Sequence, residues 1–322
     1  MQFFTLLVSL IATVAATSTC SDNPAFRRFS FGGIKGLIVS DGPAIFTENP
    51  FLVPDAVVRR SRRASFRSVS PLIGQQNVAI IDLPDARVMV DAGSVNIPEF
   101  PQFRNAGRLI SNMKAAGVEP ESINAVLFTH AHGDHVSGVT TVDGKAAFPN
   151  AKLYISKVDH EFWTQENVPN LKPEVIPNDM IQALKDIYLR SIKPYGGRVV
   201  LVEANGKPLR GVTFIPTPGH SPGHSAVRFQ GKGEALFATG DSWITKADQL
   251  ENPEWEFFIE LDAVQAYKSR IKALNGAARR RDLVLSYHES FPGLGHVSVN
   301  GAAFSWTPAE TEFMGTAVKT EC

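Results

Sequence analysis

Within six residues of one another, the run Thr129-His130-Ala131-His132-Gly133-Asp134-His135 carries four side chains able to bind a metal, three imidazoles and a carboxylate. They follow directly on Ala125-Val126-Leu127-Phe128, an apolar run that reads as a buried strand. A strand ending in a loop that opens a helix can aim several donors at one point, and imidazoles with carboxylates suit zinc and similar ions. A His-x-His-x-Asp-His pattern should arise by chance roughly once in several thousand chains of this length, so the cluster reads as a site rather than as scattered surface histidines. The chemistry it suits is metal-assisted hydrolysis, with room for two ions.

Three further strand ends offer the same kinds of donor. Thr217-Pro218-Gly219-His220-Ser221-Pro222-Gly223-His224 is a loop stiffened by prolines and glycines that presents His220. Ala238-Thr239-Gly240-Asp241 sets a carboxylate just past an apolar strand, and Ser286-Tyr287-His288 closes another with an imidazole. Five of the 8 histidines are used in this way, leaving His160, His224 and His296. His160 reads as a surface or packing residue on a helix and His224 as a hydrogen-bonded support of the ligand loop. His296, in Phe291-Pro292-Gly293-Leu294-Gly295-His296, competes with His288 for the last position; His288 is favoured because strand ends place ligands rigidly.

The elements that must position these donors follow from apolar periodicity. Residues 78–83 and 86–91 form a strand pair around a Pro84-Asp85 turn. A helix over 103–116, a strand at 153–155 and helices at 158–165 and 179–191 come next. Strands at 199–202, 212–215, 226–229 and 235–238, a helix over 261–278 and a last strand at 283–287 complete the pattern. Interspersed strands and helices without short repeats predict an α/β layered domain. Residues 31–72, rich in proline, glycine and arginine, read as an extended arm, with Arg59-Arg60-Ser61-Arg62-Arg63 as a solvated basic loop. The boundaries expected are a signal peptide at 1–16, an arm and first strands packing on the core at 17–76, and the core at 77–322, with 17–322 a single domain.

The 322 residues, 43% hydrophobic, are enough to bury a substantial core. Lys plus Arg balance Asp plus Glu at 32 each, so no overall field draws nucleic acid, an anionic membrane or a highly charged substrate; a small neutral substrate fits better. The apolar residues 3–16, ending in Val14-Ala15-Ala16, read as a cleaved secretion signal and are too short for a membrane span of 18 or so residues. Cys20 and Cys322 are the only cysteines; they would pair in an oxidising compartment and stay free thiols in the cytosol.

The four motifs, in this order over residues 77–296, resemble the metallo-β-lactamase superfamily. The resemblance implies an α/β fold, the four-layer αβ/βα sandwich, with a dinuclear site at one edge of its two sheets. It implies that His130, His132 and His220 bind a first metal, that Asp134, His135 and His288 bind a second, and that Asp241 bridges them. Two divalent ions, expected to be zinc, are the cofactors. His132 in place of a Glu speaks against the flavodiiron branch. Asp241, with no cysteine available for the second site, speaks against the common zinc β-lactamases. The segment from Tyr287-His288 to His296, and the stretch ending in Ser40-Asp41-Gly42, look most like the branch of N-acyl-homoserine lactonases and methyl parathion hydrolase. That branch, taken with the secretion signal read at 3–16, implies a secreted hydrolase in which a hydroxide shared by two metals attacks a neutral ester, foremost a lactone, while Asp134 shuttles a proton to the leaving group. Organophosphate triester or β-lactam hydrolysis on the same site stays open, as does a secreted binding protein without turnover. Trp243, Phe291 and Leu294 are expected to line the substrate pocket, Trp243 because it follows Asp241 by two residues. Neither nucleic acid nor stable membrane insertion is expected, and the oligomeric state is left open.

Overall fold

Apolar residues alternating along single strands sort the side chains into three separate cores, and these cores define the layers. The computed structural model describes residues 25–310; the expected signal peptide and both cysteines lie outside the described residues. The strands, in chain order, are β1 (Phe26–Phe31), β2 (Ile34–Ser40), β3 (Ala44–Phe46), β4 (Leu72–Gly74), β5 (Asn77–Leu83), β6 (Ala86–Val90), β7 (Ala125–Leu127) and β8 (Lys152–Ser156). They continue as β9 (Val199–Val202), β10 (Val212–Pro216), β11 (Ser225–Gln230), β12 (Ala235–Ala238), β13 (Leu283–Leu285), β14 (Leu294–Asn300) and β15 (Ala303–Pro308). The helices are α1 (Asp55–Ala64), α2 (Leu109–Ala115), α3 (Gly133–Val136), α4 (Lys157–Trp163), α5 (Asn178–Ile192) and α6 (Ala263–Arg280).

One seven-stranded sheet runs β1-β2-β5-β6-β7-β8-β9 and a six-stranded sheet runs β10-β11-β12-β13-β14-β15, while β3 and β4 pair separately. In β5, Val78 and Ile80 pack with Leu109 and Met113 of α2 and Leu184 and Ile187 of α5, whereas Ala79 and Ile81 point the other way. There they meet Phe214, Phe229 and Leu236 of the second sheet. Phe237, between Leu236 and Ala238, turns outward onto Ala273, Leu274 and Ala277 of α6. Helix, sheet, sheet and helix are thus stacked in four layers, with each fully buried aliphatic or aromatic side chain contributing about 1.5–3 kcal/mol. Among the described residues no helix is long and apolar enough to cross a membrane.

The N-terminal stretch carries the first strands expected of it and, beyond them, a helix in place of an extended arm. Strands β1 and β2 extend the first sheet, β2 pairing with β5 along its length from Lys35 opposite Asp82 to Ser40 opposite Asn77. The basic run is not a loop but the body of α1. Helical spacing places Arg62 on the inner face with Val58, four residues earlier, and leaves Arg59, Arg60 and Arg63 outside. Burial of Arg62 is offset by Asp248, 2.5 Å from its Nη1, and by a 2.7 Å bond from its Nε to the Ser68 carbonyl. The helix expected over 103–116 begins only at Leu109, because the buried Asp41 carboxylate holds the preceding loop open by accepting the N–H groups of Ser94, Gly107 and Leu109.

Candidate metal centre

Strand β7 lies in parallel between β6 and β8, so its end and theirs open on the same edge of the sheet. Just past β7, the Thr129 amide and hydroxyl donate to the carboxylate of Asp91, which follows β6 in a left-handed conformation (φ 55). Oδ2 of that carboxylate also lies 2.9 Å from His135 Nδ1 and so turns His135 Nε2 away from it. Asp159, from α4, accepts the Ala131 amide on one oxygen and the Ser221 hydroxyl and Gly223 amide on the other. One buried carboxylate therefore ties the two ligand loops together. Only glycine fits at 223, where a Cβ would stand 2.1 Å from the Asp159 amide nitrogen.

All seven expected donors converge. His132 Nδ1 and His220 Nε2 are 3.0 Å apart, and the His130 and His132 rings meet edge to face at 4.5 Å. Asp241 divides its oxygens between two groups: Oδ2 is 3.2 Å from His220 Nε2 and 4.0 Å from His130 Nε2. Oδ1 is 3.2 Å from His135 Nε2 and 3.3 Å from His288 Nε2. Asp134 Oδ2 closes the second group at 3.5 Å from His135 and 3.4 Å from His288. His130 with His132 and His220, and Asp134 with His135 and His288, form clusters whose donor atoms lie within 4.8 Å of one another, as do His130, His135 and Asp241 between them.

The donor atoms also fit a metal chemically. His130 Nε2, His135 Nε2 and Asp241 Oδ1 are buried polar atoms with no hydrogen-bond partner among the described residues, a costly state that a cation would relieve. Burial and neighbouring imidazoles hold His130 and His132 well below the usual histidine range, so both are neutral with a lone pair to give. Burial raises the Asp134 carboxyl. Burial would raise Asp241 as well, but the imidazoles of His135, His288 and His220 outweigh it and keep the carboxyl well below its ordinary value. At His135, burial pulls the imidazole down, yet the carboxylates of Asp241, Asp134 and Asp91 together push it well above the ordinary value. The carboxylate-rich half of the cluster thus draws positive charge to where a cation would stand.

The sequence pattern of the metallo-beta-lactamase superfamily matches residues 72–291, more than half of the chain. The chain belongs to the metallo-β-lactamase superfamily. An N-acyl homoserine lactonase of Bacillus cereus is 25% identical over 192 residues, 59% of this chain and 65% of that protein. The probable metallo-hydrolase YflN of Bacillus subtilis (strain 168) is 28% identical over 175 residues, 52% of this chain and 61% of its own. The chain therefore spans under two thirds of the length of these relatives. Among solved structures, hydrolase AbOPH of the beta lactamase superfamily aligns with a TM-score of 0.83 at 24% identity, covering 91% of this chain and 100% of that one. AidC, a dizinc quorum-quenching lactonase, aligns at 0.79 and 24% identity, covering 89% and 98%. These likenesses show the fold.

Above the donors, this member of the superfamily has an open cleft, about 570 Å³ counting the space that runs out into solvent, with His132, Asp134, His220, Asp241 and His288 at its base. Its walls are Phe46, Phe100, Phe103, Leu184, Ile244, Phe257, Phe258 and Ile259. The three residues expected there are elsewhere. Trp243 is fully buried in the core under α6, its ring 5.5 Å from Trp306. In a strand it would share a face with Asp241, but the 3-10 turn Gly240–Ser242 breaks that alternation. Phe291 and Leu294 pack on the core between the sheets, because the chain turns at Gly293 (φ 68) and re-enters the sheet as β14.

The remaining histidines separate cleanly. His224 is buried, with its pKa lowered to about 3 by burial, and its Nε2 accepts the Asp241 amide at 3.0 Å, which orients the Asp241 carboxylate. His160 bonds the Tyr188 hydroxyl at 2.7 Å, and His296 is exposed on β14 against the Asp282 carbonyl. His288 lies three residues beyond the end of β13, in a loop rather than at the strand terminus. It is held instead by the Gln75 carbonyl, 2.7 Å from Nδ1. Tyr287 beside it donates to the Asp134 carbonyl at 2.7 Å and stacks at 4.1 Å on His135. Asp91 and Asp159 were missed as functional supports. Asp91, a carboxylate just past an apolar strand, carries the same signature that singled out Asp241; Asp159 carries none.

Proposed function

We propose that the protein is a dinuclear metal-dependent hydrolase of small neutral esters, foremost lactones. The observation that carries the reading is Asp241, whose two oxygens address two separate donor groups within one buried cluster. His130, His132 and His220 would hold one cation, Asp134, His135 and His288 the other, with Asp241 shared. Bound divalent cations, zinc by the donor set, supply Lewis acidity that polarises an ester carbonyl and lowers the pKa of water to near neutrality.

The chain's own residues do the rest. Asp134 sits at the cavity base on the second donor group, where its carboxyl can pass a proton to a departing alkoxide. Asp91, Asp159 and His224 fix the donors so that nothing must reorganise when substrate arrives. The aromatic and aliphatic walls present apolar surface and, apart from the donors, carry no charged side chain, which suits an uncharged substrate. The apolar residues 3–16 support a secreted protein.

The test is metal analysis with chelation and zinc reconstitution, followed by turnover on a panel of γ-lactones, simple esters and paraoxon. Lactone hydrolysis that disappears on chelation and returns with zinc is expected. Preference for paraoxon would move the protein to phosphotriester chemistry, and a metal-loaded protein that turns over nothing would make it a binding protein.

A further inference from the structure

The cavity contains one polar side chain that the metal chemistry does not use. Gln102 lines it, half buried, on the short 3-10 turn Pro101–Phe103, between the wall residues Phe100 and Phe103. Among the described residues its amide has no hydrogen-bond partner, while every other polar side chain of the lining belongs to the donor cluster. The turn that carries it is fixed. Proline at its first position sets the backbone, and Phe103 and Ala106 donate back to the carbonyls of Phe100 and Phe103 at 3.1 and 2.9 Å. The surrounding loop is anchored at its root by Asp41, through Ser94, Gly107 and Leu109, and along its length by Arg190, which bonds the Asn96 carbonyl at 2.8 Å and Glu99 at 2.9 Å. Ligand cavities are mostly apolar with a few placed polar groups that fix orientation, and Gln102 is the side chain placed to do so here.

We propose that Gln102 is a specificity-determining residue: it hydrogen-bonds an uncharged polar group of the substrate remote from the scissile bond, while an apolar arm lies against the phenylalanines. The proposal deepens the hydrolase reading and rests on it for the word substrate. A carboxamide both donates and accepts, so an amide, hydroxyl or second carbonyl would serve. A charged group in the same place would lose its hydration and gain no opposite charge, since no charged side chain lines the walls beyond the donors.

The test uses the zinc-loaded protein and two ketones with no bond to hydrolyse, 2-(hexanoylamino)cyclopentanone and 2-hexylcyclopentanone, with affinities read by calorimetry. The native protein should bind the amide-bearing ketone about 3- to 10-fold more tightly, the range one neutral hydrogen bond supplies. Gln102→Leu should abolish that preference and leave the alkyl ketone's affinity and the thermal midpoint unchanged; Gln102→Asn, one methylene shorter, should restore part of it. No preference in the native protein, or one that survives Gln102→Leu, overturns the proposal. In kinetics on the matching lactones the variant should raise KM for the amide-bearing substrate alone, with kcat unchanged. A Gln102-dependent preference in binding with no turnover of any lactone or ester would sink the hydrolase reading and leave Gln102 as a ligand-reading residue; turnover with a preference indifferent to Gln102 would do the reverse.

Discussion

Asp159 shows how much of a metal site lies in residues that touch no metal. It holds Ala131 in one ligand loop and Ser221 and Gly223 in the other. Asp159→Ala should therefore weaken metal binding or activity about 10- to 100-fold, the usual cost of losing such a support, which competition with a chromophoric zinc chelator measures directly. The donors themselves were legible in the sequence because His130, His132, Asp134 and His135 crowd one short run, and His220, Asp241 and His288 each follow an apolar strand. Asp159 was not, because its partners Ser221 and Gly223 lie 62 and 64 positions further along the chain, a relation no local pattern carries. Trp243 failed for the opposite reason: proximity in sequence to Asp241 was taken for proximity in space, and one 3-10 turn undid it.

Among the elements, α1 is held to the body by a buried ion pair, Arg62 with Asp248, each almost wholly hidden from water. Arg62→Ala should destabilise the fold by about 3–5 kcal/mol by stranding the Asp248 charge, whereas Arg62→Met combined with Asp248→Leu should recover most of the loss; urea denaturation distinguishes the two. The strands of the two sheets' interior were readable as apolar runs, from Val78-Ala79-Ile80-Ile81 to Leu283-Val284-Leu285, since both faces of each are covered. Strands β14 and β15 were not, because half of β14 faces water: His296, Ser298 and Asn300 are exposed, and the strand reads as loop. Helix α1 was lost in the same way, its one inward arginine hidden among four others of identical type in the run and just beyond it.

The molecule as a whole places its candidate metal donors just past strand ends of both sheets and its stability in the core between them. Phe229→Ala, in the inter-sheet core, should cost about 3–5 kcal/mol of stability, while Phe258→Ala, on the cavity wall, should raise KM and leave the unfolding midpoint nearly unchanged. Because cations would bind the folded chain and not the unfolded one, zinc at about 100 times its dissociation constant should add about 2.7 kcal/mol, lost on chelation. Seven side chains from four segments would form a pair of cation sites sharing Asp241. Elemental analysis of the zinc-reconstituted, dialysed protein decides the matter: two zinc ions per chain are expected, and one ion or none would rule the paired site out.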